Sequence, residues 1–206
     1  MALCVQYGCG TWVPEGWQNF DVTPALFVQN IPVIGKKLAP IRFPKEVRHG
    51  NICKGLPFAD GTVDKVYCSH VLEHLAVNDL RLALKNTLKM LRPGGVFRLV
   101  IPDLRLAAEA YLGNGEPDAG FKFVETLGMG RMNRHLGLMG TLRARFGNSA
   151  HCWMWDCESM ALELKNAGFA EIRRAVLGDS GEEMFTRAEQ ANRWEGALGM
   201  QCRKPE

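Results

Sequence analysis

One segment constrains the fold more than any other: an amphipathic helix followed at once by a tight turn and an apolar strand. Apolar residues recur every three or four positions through Asn78–Leu91, which predicts a helix with one buried stripe. That stripe consists of Leu80, Ala83, Leu84, Thr87, Leu88 and Leu91. Arg92–Gly95 (Arg-Pro-Gly-Gly) cannot continue a helix, and the apolar run Val96–Ile101 that follows is typical of a buried strand. This pair predicts one unit of an α/β sheet.

The rest of the chain continues the alternation of strands and helices. Further strands are predicted at Ala2–Tyr7, Trp17–Asp21, Asp64–Ser69, Glu171–Leu177 and Ala197–Arg203, and further helices at Glu158–Ala167 and around Ala25–Gln29. Four prolines interrupt Val22–His49, so the pattern assigns little else there. The alternation predicts an open, mostly parallel sheet with helices on both faces. A charged stretch joins the last two strands, which predicts an antiparallel edge strand.

Composition narrows the classes of protein. The 206 residues suffice for one domain, and 47% hydrophobic with 23% charged residues is typical of a globular chain. The net charge of +3 argues against a dedicated nucleic-acid-binding protein. The uncharged apolar-rich stretch Val22–Gly35 has 14 residues and two prolines, so it is too short and too broken to span a bilayer. No secretory signal is visible and the seven cysteines are odd in number, so we expect free thiols in the cytoplasm.

The end of the first strand is the first candidate for a binding site. Gly8-Cys9-Gly10 follows that strand directly, and Asp21 ends the second strand. Ligands of open α/β sheets bind at the carboxyl ends of the strands, where glycine permits close approach and a carboxylate can accept the hydroxyls of a ribose. The dinucleotide pattern Gly-x-Gly-x-x-Gly is not completed, because position 13 is Val. A nicotinamide oxidoreductase is therefore disfavoured.

Several motifs taken together are more specific. They are Tyr7–Thr11, Gly16–Asp21, Leu56–Leu75 and Leu88–Gly95, with looser agreement at His151–Asp156 and Leu164–Phe169. In this combination the chain resembles the class I S-adenosylmethionine-dependent methyltransferases, in particular the type 11-like branch. The resemblance implies a Rossmann-like sheet of seven strands, one domain over residues 1–206, and S-adenosylmethionine as the cofactor.

The resemblance also implies a set of cofactor-binding residues: Gly8, Cys9, Gly10, Asp21, Asn51, Ile52, Ser69 and His70. The glycine turn would lie against the methionine moiety, with Cys9 as a small residue within it. Asp21 would hold the ribose hydroxyls, and Asn51 with Ile52 would lie beside the adenine. Ser69 and His70 would line the pocket near the sulfonium. Two positions depart from the family pattern: Gln6 and Asn51 stand where the family usually has acidic residues.

The histidines are candidates for catalysis. A general base is required only if the acceptor is an alcohol or a protonated amine, and His70 is the first candidate and His151 the second. The run His70-Val-Leu-Glu73-His74 does not match the zinc motif His-Glu-x-x-His, and the sequence indicates no third ligand. No metal site is predicted.

The segment 104–150 is predicted to form an acceptor-side lid, because it follows the strand whose end faces the reacting methyl group. Methionines alternate there with basic residues, among them Arg131 and Arg134. This composition suits an anionic or amphiphilic acceptor, such as a lipid headgroup, a glycan or a small metabolite, or contact with an anionic membrane surface. An amphipathic helical pair with a solvated basic face is the alternative. A catalytically degenerate methyltransferase fold that acts as a binding or scaffold protein is the alternative function.

Overall fold

The protein is described by a computed structural model. It describes residues 2–29, 31, 42–130 and 150–206. Seven strands form a single sheet: β1 (Cys4–Tyr7), β2 (Trp17–Asp21), β3 (Val47–His49), β4 (Val63–Ser69), β5 (Leu91–Pro102), β6 (Ala170–Ala175) and β7 (Ala197–Arg203). Their order across the sheet is β3-β2-β1-β4-β5-β7-β6. The predicted Rossmann-like fold class is confirmed.

Strand direction follows the prediction closely. The pairs β1–β2, β2–β3, β1–β4 and β4–β5 are parallel, whereas β7 is antiparallel to both β5 and β6. The reversed strand is thus β7, one place in from the edge strand β6. Strand order reverses between β1 and β4, which is where ligands of such sheets bind.

Six helices accompany the sheet in the part of the chain that is described. They are α1 (Ala25–Val28), α2 (Val77–Met90), α3 (Leu104–Leu112), α4 (Ala119–Thr126), α5 (Cys157–Ala167) and α6 (Glu183–Ala188). Three short 3-10 turns occur at Ile52–Lys54, Leu72–His74 and Ala191–Arg193. α5 begins with a capping box between Asp156 and Ser159 and ends at Gly168, which has a left-handed backbone with φ of 102°. None of the described helices has the length and apolar character needed to cross a membrane.

The two faces of the sheet are covered differently. On one face α2 and α5 pack over a large apolar core, to which they contribute Leu80, Leu84, Met160 and Leu164. On the other face a smaller core joins Trp17 and other strand residues to the buried Phe185 and Ala188 of α6. The stretch between β6 and β7, which sequence reasoning treated as merely charged, therefore covers part of the sheet.

The link between β1 and β2 explains why that cover is needed. Parallel strands are usually joined by a helical crossover, but residues 8–16 form only turns here. The connection between β6 and β7 (residues 176–196, here called the C-terminal segment) takes the place of the missing helix. The indole N–H groups of Trp12 and Trp17 donate to the carbonyls of Ala188 and Met184 in this segment, each at 3.1 Å. The rings of Trp17 and Phe185 lie 5.7 Å apart.

A buried arginine fastens this C-terminal segment to the sheet. Arg98 of β5 is fully buried and donates from Nε to Glu189 Oε1. Its Nη1 lies 3.0 Å from Gln201 Oε1 and 2.9 Å from Asp179 Oδ1, and its Nη2 lies 2.6 Å from the carbonyl oxygen of Val176. The guanidinium also lies 4.8 Å from the centre of the Trp194 ring. One side chain thus holds together a strand and a long connection.

The region expected to form an acceptor lid is described only in part. α3 and α4 pack together there, and the rings of Tyr111 and Phe123 stack at 4.9 Å. Arg131 and Arg134 lie outside the described residues.

Candidate cofactor site

A cavity of about 490 Å³ lies at the carboxyl ends of the central strands. Its walls come from the segments that follow β1, β2, β3 and β4, and include Gly8, Asn51, Ile52, Val71, His74 and Leu75. The volume is within the range of small-molecule sites, roughly 300–1,000 Å³. A second cavity of about 550 Å³ shares Gly50 and Asn51 with it but lies away from β1 and β4. The cavity beside Gly8 is at the switch point and is therefore the better candidate.

Position 8 requires glycine because Val71, in the loop after β4, packs directly against it. The φ of Gly8 is +64°, and a Cβ atom placed on this residue would lie 2.2 Å from Cγ2 of Val71. A side chain at this position would clash with the loop after β4. Gly10, with φ of +55°, has open space instead, because a Cβ there would meet no described atom within 4 Å.

Asp21 connects the glycine turn to the end of β2. Its Oδ2 accepts a hydrogen bond from the Gly10 N–H at 2.9 Å, and its Oδ1 accepts from the N–H and the hydroxyl of Thr23 at 2.8 and 2.5 Å. The carboxylate is buried and is not among the residues that line the 490 Å³ cavity, although the adjacent Val22 is. Asp21 therefore shapes the turn whether or not it also contacts a ligand.

Asn51 and Ile52 lie in the wall of the cavity on a short turn. The Asn51 Oδ1 caps that turn by accepting from the Cys53 N–H at 2.9 Å. Asn86 of α2 holds the turn in place, because its Nδ2 donates to the carbonyl oxygens of Ile52 and Cys53 at 2.8 and 3.1 Å. The side chain of Ile52 is buried and presents an apolar wall.

A third and much smaller space also borders Gly8. It measures about 10 Å³ and its walls include Gln6, Cys9, Tyr67 and Ser69. Gln6 Oε1 is buried there without a hydrogen-bond partner among the described residues, whereas the Tyr67 hydroxyl interacts with the side chains of Ser69 and Trp194. Buried polar atoms are normally paired with protein, water or ligand, so this space suits one water molecule or one small polar group of a ligand.

Cys9 does not offer a reactive thiolate. Burial, together with the nearby charge of Asp21, raises the pKa of the Cys9 thiol to about 12. The thiol lies inside the turn, with Sγ 3.4 Å from the carbonyl oxygen of Gly10. Its role is that of a small side chain in a crowded turn.

The two candidate bases meet around one buried carboxylate. His70 has an unusual left-handed backbone, with φ of 53°, and its Nδ1 lies 3.4 Å from Glu73 Oε1. His151 lies beside His74, with the ring centres 5.0 Å apart, and His74 Nε2 is 3.8 Å from the same Glu73 oxygen. His74, which sequence reasoning treated as structural, lines the 490 Å³ cavity, whereas His70 does not.

The predicted site residues thus fall into three neighbouring groups. Gly8, Asn51 and Ile52 line the larger cavity, and Cys9 and Ser69 line the small polar one together with Gly8. Gly10 and Asp21 form the turn. Sequence reasoning missed Val71 and Leu75 as cavity residues, although both lie inside the Leu56–Leu75 motif.

Comparisons with known proteins bear on the family and on the fold. The type 11 family model, described as a methyltransferase domain, matches residues 29–99. No curated protein has a significantly similar sequence.

Solved structures share the fold at low identity. A methyltransferase from Archaeoglobus fulgidus is 13% identical with a TM-score of 0.53, over 98% of this chain and 86% of that one. The complex of the Trm112 activator and a methyltransferase from Haloferax volcanii is 15% identical with a TM-score of 0.52, over 100% of this chain and 83% of that one. The Haemonchus contortus phosphoethanolamine N-methyltransferase 2 is 12% identical with a TM-score of 0.52, over 100% of this chain and 50% of that one. The present chain thus spans about half the length of the last enzyme. Together these findings confirm the resemblance carried by the motifs: the chain has the class I S-adenosylmethionine-dependent methyltransferase fold.

Proposed function

We propose that this protein binds S-adenosylmethionine and transfers its methyl group to an acceptor. The observation that carries the proposal is the position of Gly8. This residue lines both the 490 Å³ cavity and the small polar space, in a fold whose solved relatives are methyltransferases. The larger cavity can hold a ligand of this size beside Gly8, whereas the small space has room for about one water-sized group.

The residues present fit the two ends of this cofactor. Ile52 and Leu75 supply apolar surface for an adenine ring in the larger cavity. Gln6 Oε1 has no hydrogen-bond partner among the described residues and is suited to accept from the ammonium group of the amino-acid end. Asp21 is the candidate for the ribose hydroxyls, using lone pairs beyond those that bond Gly10 and Thr23.

The same geometry disfavours a dinucleotide. Dinucleotide sites hold the pyrophosphate at the N-terminus of the helix that follows the glycine turn. Residues 11–16 form turns without a helix, so that anion-binding position is missing from this part of the chain.

The bound cofactor supplies an activated methyl group whose leaving group is a neutral thioether. The protein must then align the acceptor and exclude water. If the acceptor carries a proton, His70 or His151 is the proposed base. The Nε2 of His70 is bonded to the Arg193 carbonyl oxygen at 2.9 Å, which leaves its Nδ1 to act.

For the acceptor we propose an anionic or amphiphilic molecule, such as a lipid headgroup, a glycan or a small metabolite. The support is the basic, methionine-rich composition of segment 104–150, where Arg131 and Arg134 can bind a phosphate or contact an anionic membrane surface. The Haemonchus contortus structure contains phosphomonomethylethanolamine, so the fold is compatible with a phosphate-bearing acceptor.

A specific observation keeps a second function open: a degenerate fold that binds partners without catalysis. Gln6 and Asn51 replace the acidic residues usual in the family, and the Asn51 Oδ1 already accepts a backbone hydrogen bond. That alternative predicts no binding of the sulfur cofactor.

Calorimetric titration separates these functions. We expect binding of S-adenosylmethionine and of its demethylated product, and weaker binding of NAD. Asp21→Ala should weaken cofactor binding by about 1.5–3 kcal/mol, because it removes hydrogen bonds to a charged group. Asp118→Ala is the matched control, since Asp118 is an exposed carboxylate paired with Lys122. If the wild-type protein binds neither S-adenosylmethionine nor its demethylated product, the proposed methyltransferase activity is wrong. If a folded Asp21→Ala protein binds the cofactor with unchanged affinity, the ribose lies elsewhere.

A further inference from the structure

We propose that Glu73, His74 and His151 form a binding site for a divalent first-row transition metal such as Zn²⁺. One ligand atom from each residue lies within 4.8 Å of the other two. The site adjoins the 490 Å³ cavity, because His74 lines that cavity. The proposal goes beyond methyl transfer and does not depend on it; with a metal bound to His151, His70 alone of the two candidates can act as a base.

The hydrogen bonds of the two histidines leave the right nitrogens for a metal. His74 Nδ1 lies 3.2 Å from the carbonyl oxygen of Ala150, and His151 Nδ1 lies 2.6 Å from that of Leu127. A carbonyl oxygen can only accept, so each Nδ1 must carry the proton. Each neutral ring therefore has its lone pair on Nε2. A backbone carbonyl that orients the other nitrogen in this way is typical of metal-bound histidine.

Glu73 supplies a buried carboxylate whose nearest described partners are two histidines. Its side chain is 0% exposed, and neither oxygen has a hydrogen-bond partner among the described residues. Burying an unpaired carboxylate is costly, so a cation is expected at this point. The nearest groups are His74 Nε2 at 3.8 Å and His70 Nδ1 at 3.4 Å.

His70 makes the need for a cation stronger. Its Nε2 donates to the Arg193 carbonyl oxygen, so its neutral ring also directs a lone pair on Nδ1 toward Glu73. Three imidazole lone pairs and a carboxylate thus lie close together with no donor among them. Either extra protons or one metal ion can satisfy this arrangement, and the two cases are distinguishable by experiment.

The donor set selects the kind of metal. Two imidazole nitrogens and one carboxylate suit Zn²⁺ and its first-row neighbours, whereas Mg²⁺ and Ca²⁺ prefer oxygen ligands alone. Metal–ligand distances of about 2.0–2.2 Å in a tetrahedral site place the ligand atoms about 3.4 Å apart, so those now up to 4.8 Å apart must approach by about 1 Å when the metal binds. Three protein ligands leave a fourth position, which is typical of a site that also takes water or a substrate oxygen.

The backbone holds these residues together before any metal binds. The N–H groups of Cys152 and Trp153 donate to the Glu73 carbonyl oxygen at 2.7 and 3.1 Å. His151, far from Glu73 in the sequence, is thereby fixed beside it. This is the third ligand that the sequence did not reveal.

The test uses the full chain, freed of metal with a chelator, and a competition assay between the protein and a chromophoric Zn²⁺ chelator. We expect one Zn²⁺ per chain. Glu73→Gln and His151→Asn should each weaken binding at least about 100-fold, because each removes a direct ligand. Replacement by Co²⁺ should give the visible absorption of a low-coordinate nitrogen and oxygen site.

Two control variants exclude other ligands. His49→Asn removes an exposed histidine outside the cluster, and Cys152→Ser removes the exposed thiol next to His151. Both should bind Zn²⁺ within about threefold of the wild type. Circular dichroism of the metal-free proteins checks folding, and Glu73→Gln should fold at least as well as the wild type because it removes a buried charge.

Two outcomes would overturn the site. Failure of the folded wild type to bind Zn²⁺ or Co²⁺ stoichiometrically would mean that protons satisfy the cluster. Wild-type affinity in both Glu73→Gln and His151→Asn, or loss of binding in Cys152→Ser, would place the metal elsewhere. Since metal binding is measured without S-adenosylmethionine, failure here is separate from failure of the proposed activity.

Discussion

Replacing the buried Arg98 should destabilise the protein more than replacing any exposed arginine. Arg98→Met removes a guanidinium that bonds Glu189, Gln201, Asp179 and the Val176 carbonyl. The Glu189 carboxylate, whose side chain is 1% exposed, would keep only the Gly178 N–H at 2.9 Å. The C-terminal segment would then lose its main polar attachment to β5.

The magnitude follows from the charge left behind. Removing one partner of a buried ion pair costs about 3–5 kcal/mol, because the other charge stays desolvated. For a chain of this size, roughly 2–4 °C per kcal/mol predicts a fall in Tm of about 6–20 °C. Arg105→Ala is the control. Arg105 pairs with Glu109 and Glu158, which are exposed, so its loss should cost at most about 1 kcal/mol.

Urea unfolding followed by circular dichroism measures both free energies, with the slope m as a check on the unfolded state. The double variant Arg98→Met/Glu189→Leu should be less destabilised than the sum of its single variants, because no unpaired charge remains. A loss below 1 kcal/mol for Arg98→Met, or strict additivity in the double variant, would refute the reasoning. Either result would mean that apolar packing alone attaches this segment.

Two further perturbations test the glycine turn and the ion pair between Arg81 and Glu163. Gly8→Ala should lower the free energy of unfolding by about 1–3 kcal/mol, because the new Cβ would lie 2.2 Å from Cγ2 of Val71. The double variant Gly8→Ala/Val71→Ala should recover part of the lost stability. If denaturant unfolding shows no recovery, the clash is not the cause. The hydrogen bond from Arg81 lowers the pKa of Glu163 below its ordinary value of 4.5. This carboxylate therefore stabilises the fold above that value and loses its contribution as pH falls through the lowered pKa. Glu163→Gln should thus lose less stability on acidification than the wild type, and parallel pH profiles would show that the pair does not matter.

Local patterns in the sequence sufficed for much of the architecture. The helix predicted at Asn78–Leu91 is found at Val77–Met90, and the strands predicted at Trp17–Asp21 and Ala197–Arg203 are found with the same bounds. These elements are specified by apolar periodicity and by turn residues, which act over a few positions and are visible in one chain. The glycine turn at the end of β1 was predicted for the same reason.

Other elements depend on partners far along the chain. β3 has only three residues and forms through parallel pairing with β2, in which Asn19 lies opposite Val47. α6 is short and charged, and it covers the sheet because residues 8–16 provide no helix to do so. Short segments such as these carry too few apolar positions to be assigned by periodicity.

The site shows the same division between local and distant information. Gly8 and Asp21 were predicted because strand ends in an α/β sheet carry the ligand crevice, which follows from strand order alone. The meeting of Glu73 with His151 was not predicted, because the backbone bonds from residues 152 and 153 to Glu73 arise only after the chain has folded. Arg98 is similar: in a strand it reads as a solvated charge, and only tertiary packing places Glu189 beside it and excludes water from both.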